Sequence, residues 1–421
     1  MRPRFFYGSV ILTLCFVNLL IVRGTAASFS VFYVALLEEY GWSHGSGASI
    51  ASVSFLVYAL ASPVIGLTFD RLGPRLLIPF AGLLMGTGLF LASRSNALWE
   101  LYLSYGVVTA LGQAGLGFVS HNALISHWFV RRRATAIGIA TMGQGVGAIL
   151  LVPLTQALIS RMGWRPAFMI LATLLFVTVV PANALFQRGR PEELGQLPDG
   201  RMVPNTNAKR SRRSVIPKTH EWTLRSAITS IPFWTIAVGQ FGLGIGLFMV
   251  FTHMVAHLVS LGYDKLLAAF VFGVMGLTRT GGSALWGYIS DHIGRDKAFG
   301  ISTVIIWIGL AGLIGLRTGS PMWLVYMVAI IYGIGHSAGN PTYGALIGDV
   351  FSGAKVGTIF GTLEISFGSG SALGAWLGGY LFDLTGSYRL AFSICFLTFA
   401  IAYLAVDSCQ AWRFRQSAGT G

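Results

Sequence analysis

Charge is what this chain has least of. Asp, Glu, Lys and Arg make up 10% of its 421 residues, where a soluble globular protein carries about a quarter, and that deficit excludes nearly every soluble enzyme. Acidic residues are scarcest, 15 against 29 Lys and Arg for a formal charge of +14. The basic excess does not imply nucleic acid, because the charges lie between apolar blocks and not in a folded basic domain. Cysteine is nearly absent too. Cys15, Cys395 and Cys409 stand in or at the end of apolar stretches without paired or metal-ligand spacing, which indicates neither a disulfide framework nor a zinc site. The Gly-x-x-x-x-Gly-Lys-Ser/Thr loop that cradles phosphates is also missing. A pump hydrolysing ATP within this chain is therefore disfavoured. No catalytic constellation appears, so neither an enzyme nor a cofactor is expected, and energy must come from a gradient or an exchanged partner.

Apolar sequence is what the chain has in abundance. Hydrophobic residues make up 54%, and another 54 residues are glycine. The apolar residues come in blocks of about twenty or more, the length that crosses a bilayer as helix. Met1-Arg2-Pro3-Arg4 and the run behind it imitate a secretory signal, but the run continues to about Leu37, too long for a cleaved one. The blocks predict helices over roughly 6–37, 47–69, 75–93, 98–122, 134–160, 164–186, 230–260, 266–290, 298–316, 321–348, 355–382 and 388–408. Between the sixth and seventh lies Arg188 to Arg225, with Pro, Gly, Asn, Ser and nine Lys/Arg, which reads as a solvated linker. The expectation is an all-α membrane protein with a six-helix bundle over 1–187, a linker over 188–229 and a second six-helix bundle over 230–421. With both termini cytoplasmic, inner segments hold 21 Lys/Arg and outer loops six, the asymmetry that orients membrane proteins.

The two halves repeat each other. Gly66-x-x-x-Asp70-Arg71-x-Gly73-x-Arg75 after the second span recurs as Gly287-x-x-x-Asp291-x-x-Gly294-Arg295-x-Lys297 after the eighth, with Gly, Asp and Gly all displaced by 221 residues. Gly163-Trp164-Arg165-Pro166-Ala167-Phe168 is echoed more loosely by Gly386-Ser387-Tyr388-Arg389-Leu390-Ala391-Phe392. Parallel six-helix repeats of this kind form a known carrier architecture with its site near the midplane between the halves.

On these residues the chain resembles the major facilitator superfamily over essentially its whole length, since the Gly66 to Arg75 loop matches that superfamily's signature at every defining position. Trp128-Phe129-x-Arg131-Arg132-Arg133-x-x-Ala136-x-Gly138, the Gly-rich fifth span (Gly143, Gly145, Gly147, then Pro153) and Asp349-Val350-Phe351 with Lys355, Gly357 and Gly361 are similar to the branch of the monocarboxylate transporters and the oxalate:formate antiporter. The resemblance implies alternating access by rocking of the halves. It departs at Met275, where animal-type members carry an acidic residue, at Ala27, where they carry a lysine, and at Glu364, in a helix where the oxalate exchanger uses a cation.

An ionisable group inside a hydrocarbon span costs several kcal/mol unless it faces a cavity or a partner. Arg279 lies about 21 Å along the eighth span at 1.5 Å per residue, near mid-membrane, and offers a planar fork matched to a carboxylate. Its functional reading is substrate-anion binding, its structural one a pair with Glu364. Arg23, later in the first span, either adds a second cation or bonds to a neighbouring helix. Glu364 is either a proton-coupling group or a permanent counter-ion. Tyr332, His336, Asn340 and Tyr343 form a polar stripe in the tenth span, and Gln113, Gly117 and His121, with Asn122 adjacent, form another in the fourth. Each stripe reads as a cavity wall or as interhelical hydrogen bonding. His253 and His257 suggest no third metal ligand, so an outer-gate or packing role is favoured over a metal site. Asp70, Arg71, Arg75, Asp291, Arg295 and Lys297 sit at cytoplasmic helix ends, where charge pairs and helix dipoles can latch a closed face.

The resulting expectation is a secondary carrier for a small organic anion, a monocarboxylate such as lactate or a short dicarboxylate, moving with a proton or by exchange with a counter-anion. Its other partner is the lipid bilayer, with no nucleic acid and no metal. The many aromatics (29 Phe, 14 Tyr, 11 Trp) favour instead export of larger amphipathic compounds, against which two intramembrane arginines speak. A non-transporting receptor would need a signalling surface, and the linker is too short to hold a domain of its own. The short linker and tails suit a prokaryotic inner membrane.

Overall fold

In the computed structural model the described residues are 6–129, 133–200, 222–351 and 356–418, with the side chains of 70, 118–119, 133–134, 200, 291, 340, 356–357 and 411–418 outside the description. The spans are α1 (Gly8–Tyr40), α2 (His44–Phe69), α3 (Pro74–Ala92), α4 (Leu98–Trp128), α5 (Thr135–Met162), α6 (Trp164–Phe186), α7 (Ile231–Ser260), α8 (Lys265–Ser290), α9 (Arg295–Gly315) and α10 (Met322–Val350). They are completed by α11 (Val356–Thr385) and α12 (Arg389–Gln410). Eleven of these are long and apolar enough to cross a membrane by composition alone. The other, α11, is 30 residues long and is diluted by the glycines and serines with which it packs. The architecture is two six-helix bundles, α1–α6 and α7–α12. The short connections between α1 and α2 or α7 and α8 mark a loop end, and the chain termini and linker a terminal end.

The motif repeat has a local cause. Gly73 and Gly294 stand at φ +73° and +97° as the N-caps of α3 and α9, a conformation that costs other L-residues energy and glycine none. The same sharp turn is thus built twice, 221 residues apart.

Between helices in lipid there is little hydrophobic driving force, so association relies on close packing at small residues. Within the first bundle α1 and α5 touch backbone to backbone, with Gly143 against the Phe16 carbonyl and Gly147 against that of Leu20. In the second, α7 and α11 do the same through Gly244 against Phe367, Gly370 against Phe241 and Gly374 against Ile245. These seams leave no room for a Cβ.

Between the bundles, α2 lies on α11 and α5 on α8, and among the described residues their glycine contacts fall in the loop half. Going inward from the loop end, α2 meets α11 at Gly45 and Tyr380, at Ser52, whose hydroxyl donates to the Ala372 carbonyl at 2.7 Å, and at Ala59 against Gly368. Likewise α5 meets α8 at Ile149 and Gly273, at Ala148 and Gly276, and at Gly145 and Thr280. Two helical turns further along the same faces, Gly66, Gly361, Gly138 and Gly287 each have no heavy atom within 4 Å of where a Cβ would stand. The bundles are joined at the loop end and splayed at the terminal end. The last contacts, Ala59 and Thr280, are themselves 221 residues apart, so the cleft has its apex on the pseudo-symmetry axis.

The seams and the cleft make opposite demands on two glycines of α5. Gly147→Ala should destabilise the protein by about 1–3 kcal/mol through overpacking, whereas Gly138→Ala, in open space, should be neutral or stabilising by about 1 kcal/mol through helix propensity. Thermal unfolding in detergent checks both.

Candidate functional site

Four side chains gather at the apex. Arg279 on α8 immediately precedes the last α8 contact, and Tyr58 on α2 immediately precedes the last α2 contact. They are equivalent positions of the two halves, also 221 apart. Arg23 approaches from α1, and Glu364 stands one turn before Gly368 on α11. All four are half-buried, neither sealed in a core nor facing bulk solvent.

Tyr58 holds Arg23 in place. The Arg23 Nη2 donates to the Tyr58 hydroxyl at 2.9 Å, and its guanidinium carbon lies 5.3 Å from the Tyr58 ring centroid, a cation–π distance. Gly117 of α4 makes room for the hydroxyl, which stands 2.6 Å from where a Cβ would be. Arg23 Nε is buried without a partner. Arg279 makes no hydrogen bond or ion pair among the described residues, and its backbone lies against Gly333 of α10. Arg23 and Arg279 are close enough to repel one another. Glu364 feels the charge of Arg23, but it forms no ion pair among the described residues. The pair between Arg279 and Glu364 that residue types suggested is not made among the described residues, and the carboxylate interacts electrostatically with Arg23 of α1 instead.

Behind Arg279 lie Tyr332 and His336, stacked at 6.0 Å between centroids and interacting electrostatically with the arginine. They are 1% and 4% exposed, and the Tyr332 hydroxyl and both His336 nitrogens lack partners. They back the cleft and do not line it. Tyr343, the last of that stripe, is spent on packing, donating to the Ala402 carbonyl of α12 at 2.7 Å. The Asn340 side chain falls outside the described residues.

A family model of the major facilitator superfamily matches residues 14–331 and 277–417. The chain belongs to the major facilitator superfamily. Within it the similarity is to monocarboxylate transporters: number 13 of Bos taurus is 29% identical over 391 residues, 92% of this chain and 86% of that protein, and number 12 of Homo sapiens is 28% identical over 92% of this chain and 78% of that protein. The fold is similar to that of a bacterial homolog of the human lysosomal transporter Spinster in an inward-facing, occupied conformation, with TM-score 0.74, 16% identity and coverage of 96% of this chain and 97% of that one. The same homolog in its unoccupied inward-facing form superposes with TM-score 0.68. The chain is an integral membrane transporter, not an enzyme.

Elsewhere in this facilitator the polar residues have other tasks. His121, expected on a cavity wall, is fully buried in the first bundle. Its Nδ1 donates to the Gly117 carbonyl at 2.9 Å and its Nε2 accepts from Asn18 at 3.2 Å, while Asn18 and Asn183 exchange amide bonds of 2.9 and 2.8 Å. This ties α1, α4 and α6 together and removes His121 from the site. Its neighbour Asn122 is half-buried. His253 and His257 donate to the carbonyls of Ala375 and Leu313, each ring serving packing between helices. At the terminal end Arg71, Arg75 and Lys297 are exposed, and Arg295 pairs with Asp349 at 2.7 Å within the second bundle. The side chains of Asp70 and Asp291 fall outside the described residues, as do Arg131, Arg132 and Lys355. Tyr58 was missed from sequence, though the 221-residue displacement leads from Arg279 directly to it.

If the Asn18–Asn183–His121 cluster is structural, Asn183→Ala should lower stability by about 1–3 kcal/mol by stranding buried amide groups. KM for transported substrate should stay within about twofold of wild type, a split that melting curves and initial rates resolve.

Proposed function

We propose that this chain is a secondary carrier of small organic anions, a monocarboxylate such as lactate or a short dicarboxylate, working by alternating access with proton symport or anion exchange. The observation that carries the reading is Arg279, a guanidinium at the apex of an open cleft with no partner among the described residues. A charge at that depth is costly alone, and its bidentate fork matches a carboxylate. Arg23, held by Tyr58, adds a second cation and Glu364 one anion, so the empty apex carries a formal +1. A monocarboxylate brings it to zero. A dicarboxylate does so once Glu364 takes a proton. Tyr332 and His336 back the cleft with unpaired hydrogen-bonding groups that reach a substrate only if the layer around Arg279 opens, and Asn340 and Asn122 are proposed to line the cleft.

The distribution of Lys and Arg supports both termini on the cytoplasmic side, which makes the cleft inward-facing. The bundles over 1–187 and 230–421 are then the two rocking bodies, with 188–229 as linker. When the cleft closes, Asp70, Arg71, Arg75, Asp291, Arg295 and Lys297 are brought to the face where charge pairs and helix dipoles can hold it shut. Export of amphipathic compounds would leave the Arg279 guanidinium without an assigned partner, so the anion reading is preferred.

Counterflow of labelled lactate and oxalate into proteoliposomes tests the reading, with accumulation of either above equilibrium expected. Arg279→Lys keeps the charge but loses the fork, so KM should rise at least about tenfold, equivalent to one lost charge-assisted hydrogen bond. Near-wild-type affinity in a well-inserted variant would remove Arg279 from the site.

Glu364→Gln separates binding from coupling. Counterflow should persist because Arg279 and Arg23 are intact, while accumulation driven by a pH gradient should be lost. If the variant still concentrates substrate with unchanged pH dependence, Glu364 is a structural counter-ion of Arg23.

A further inference from the structure

The loop end is closed by glycine contacts and, at its rim, by a carboxylate that caps a helix of the opposite bundle. Asp383, near the end of α11, accepts the backbone N–H of His44 at 2.7 Å on one oxygen and that of Gly45 at 2.8 Å on the other. His44 and Gly45 open α2 in the opposite bundle, where first-turn N–H groups have no partner in their own helix. The helix's own cap, Ser43, reaches only as far as the Ser46 N–H, at 3.2 Å. The free donors of the α2 N-terminus are thus divided between a hydroxyl from its own bundle and an anion from the other.

The surroundings hold this junction in register. The His44 ring lies over Phe382 with centroids 3.9 Å apart, and its Nδ1 is 2.7 Å from the Tyr388 hydroxyl, both C-terminal-bundle residues. Tyr33 of α1 donates to the His44 carbonyl at 3.0 Å, and Gly379 lets the α11 backbone touch the same carbonyl. A second cross-bundle charge contact, Lys265 to Glu38 at 2.5 Å, joins side chains that are 41% and 51% exposed, where solvent screening leaves little energy.

We propose that Asp383 is the latch of the loop end. It caps α2 across the bundle interface while the terminal end is open, and the carrier opens on the loop side only by withdrawing that carboxylate and giving the His44 and Gly45 N–H groups to water. Asp383 sits at the solvent-exposed rim, so the cap biases the equilibrium and still releases. A cap held by one bundle on a helix of the other is broken by any rocking that parts α2 from α11. The proposal rests on alternating access but not on the cargo, and its test needs no substrate.

The test is a distance measurement on the full chain in lipid nanodiscs. Spin labels on cysteines introduced at the exposed loop-end positions Arg161 and Thr318, one in each bundle, report the gap, and the native cysteines are buried. Wild type should show mainly the short distance. Asp383→Ala and the isosteric Asp383→Asn should raise the ratio of long to short distances about tenfold, the size of one charged helix cap. Asp383→Glu should keep part of the closure, and Glu38→Gln should change the ratio less than about twofold. Should Asp383→Ala fail to fold, the Asn variant carries the test. Distances unchanged in the Asn variant would overturn the proposal and leave closure to the glycine contacts, and a larger effect from Glu38→Gln than from Asp383→Asn would overturn it in favour of the ion pair. Absence of lactate and oxalate counterflow in the wild type, with the distance shift in the Asp383 variants intact, would overturn the cargo reading alone.

Discussion

A charge at the middle of a bilayer is tolerated only where water or a counter-charge can reach it, and the arrangement of this transporter follows from that constraint. Two arginines and one glutamate gather where the glycine contacts between the bundles end. Above the apex the helices of the two halves touch through glycine and alanine, where a buried guanidinium could not be accommodated. Below it the same helix faces part. The position of Arg279, one residue before the last contact of α8, joins site and hinge. Any motion that closes the terminal end must bring α2 and α11 together over Tyr58 and Glu364, and so change the surroundings of the charges directly.

Rocking of this kind needs bundles that move as bodies. The α1–α5 and α7–α11 seams provide it, because backbones in contact through glycine have no side chains to repack and little freedom to slide. The cross-bundle faces are built differently, with isolated small residues and a few polar contacts at the rim. Firm seams within halves and sparse contacts between them set which surfaces part. The buried Asn18–Asn183–His121 cluster belongs to the first kind, since a fully satisfied polar network inside a bundle fixes helix register.

Much of the fold was legible in the sequence. Apolar blocks placed eleven spans within a few residues of their observed limits, since bilayer thickness imposes one length on every crossing helix. The 221-residue repeat marked both motif turns because each needs glycine at positive φ. Arg279, Arg23 and Glu364 stood out because charge is so rare in hydrocarbon. The same rule was blind to Tyr58, which is uncharged and looks like any aromatic in a span, and to Asp383, a carboxylate near the end of its span that nothing in the sequence sets apart.

By itself the sequence determined how many helices there are, where each begins, which turns recur and which charges must be accommodated within the membrane, because these follow from local periodicity and from the cost of burying charge. Only the tertiary structure decided which charges meet. A helical stripe states that residues share a face but not which neighbour the face meets, so His121 went to a core network, Tyr332 and His336 to a layer behind Arg279, and Glu364 toward Arg23. Those choices depend on the rotation of each helix about its axis, which is set by glycine seams formed between segments distant in the chain.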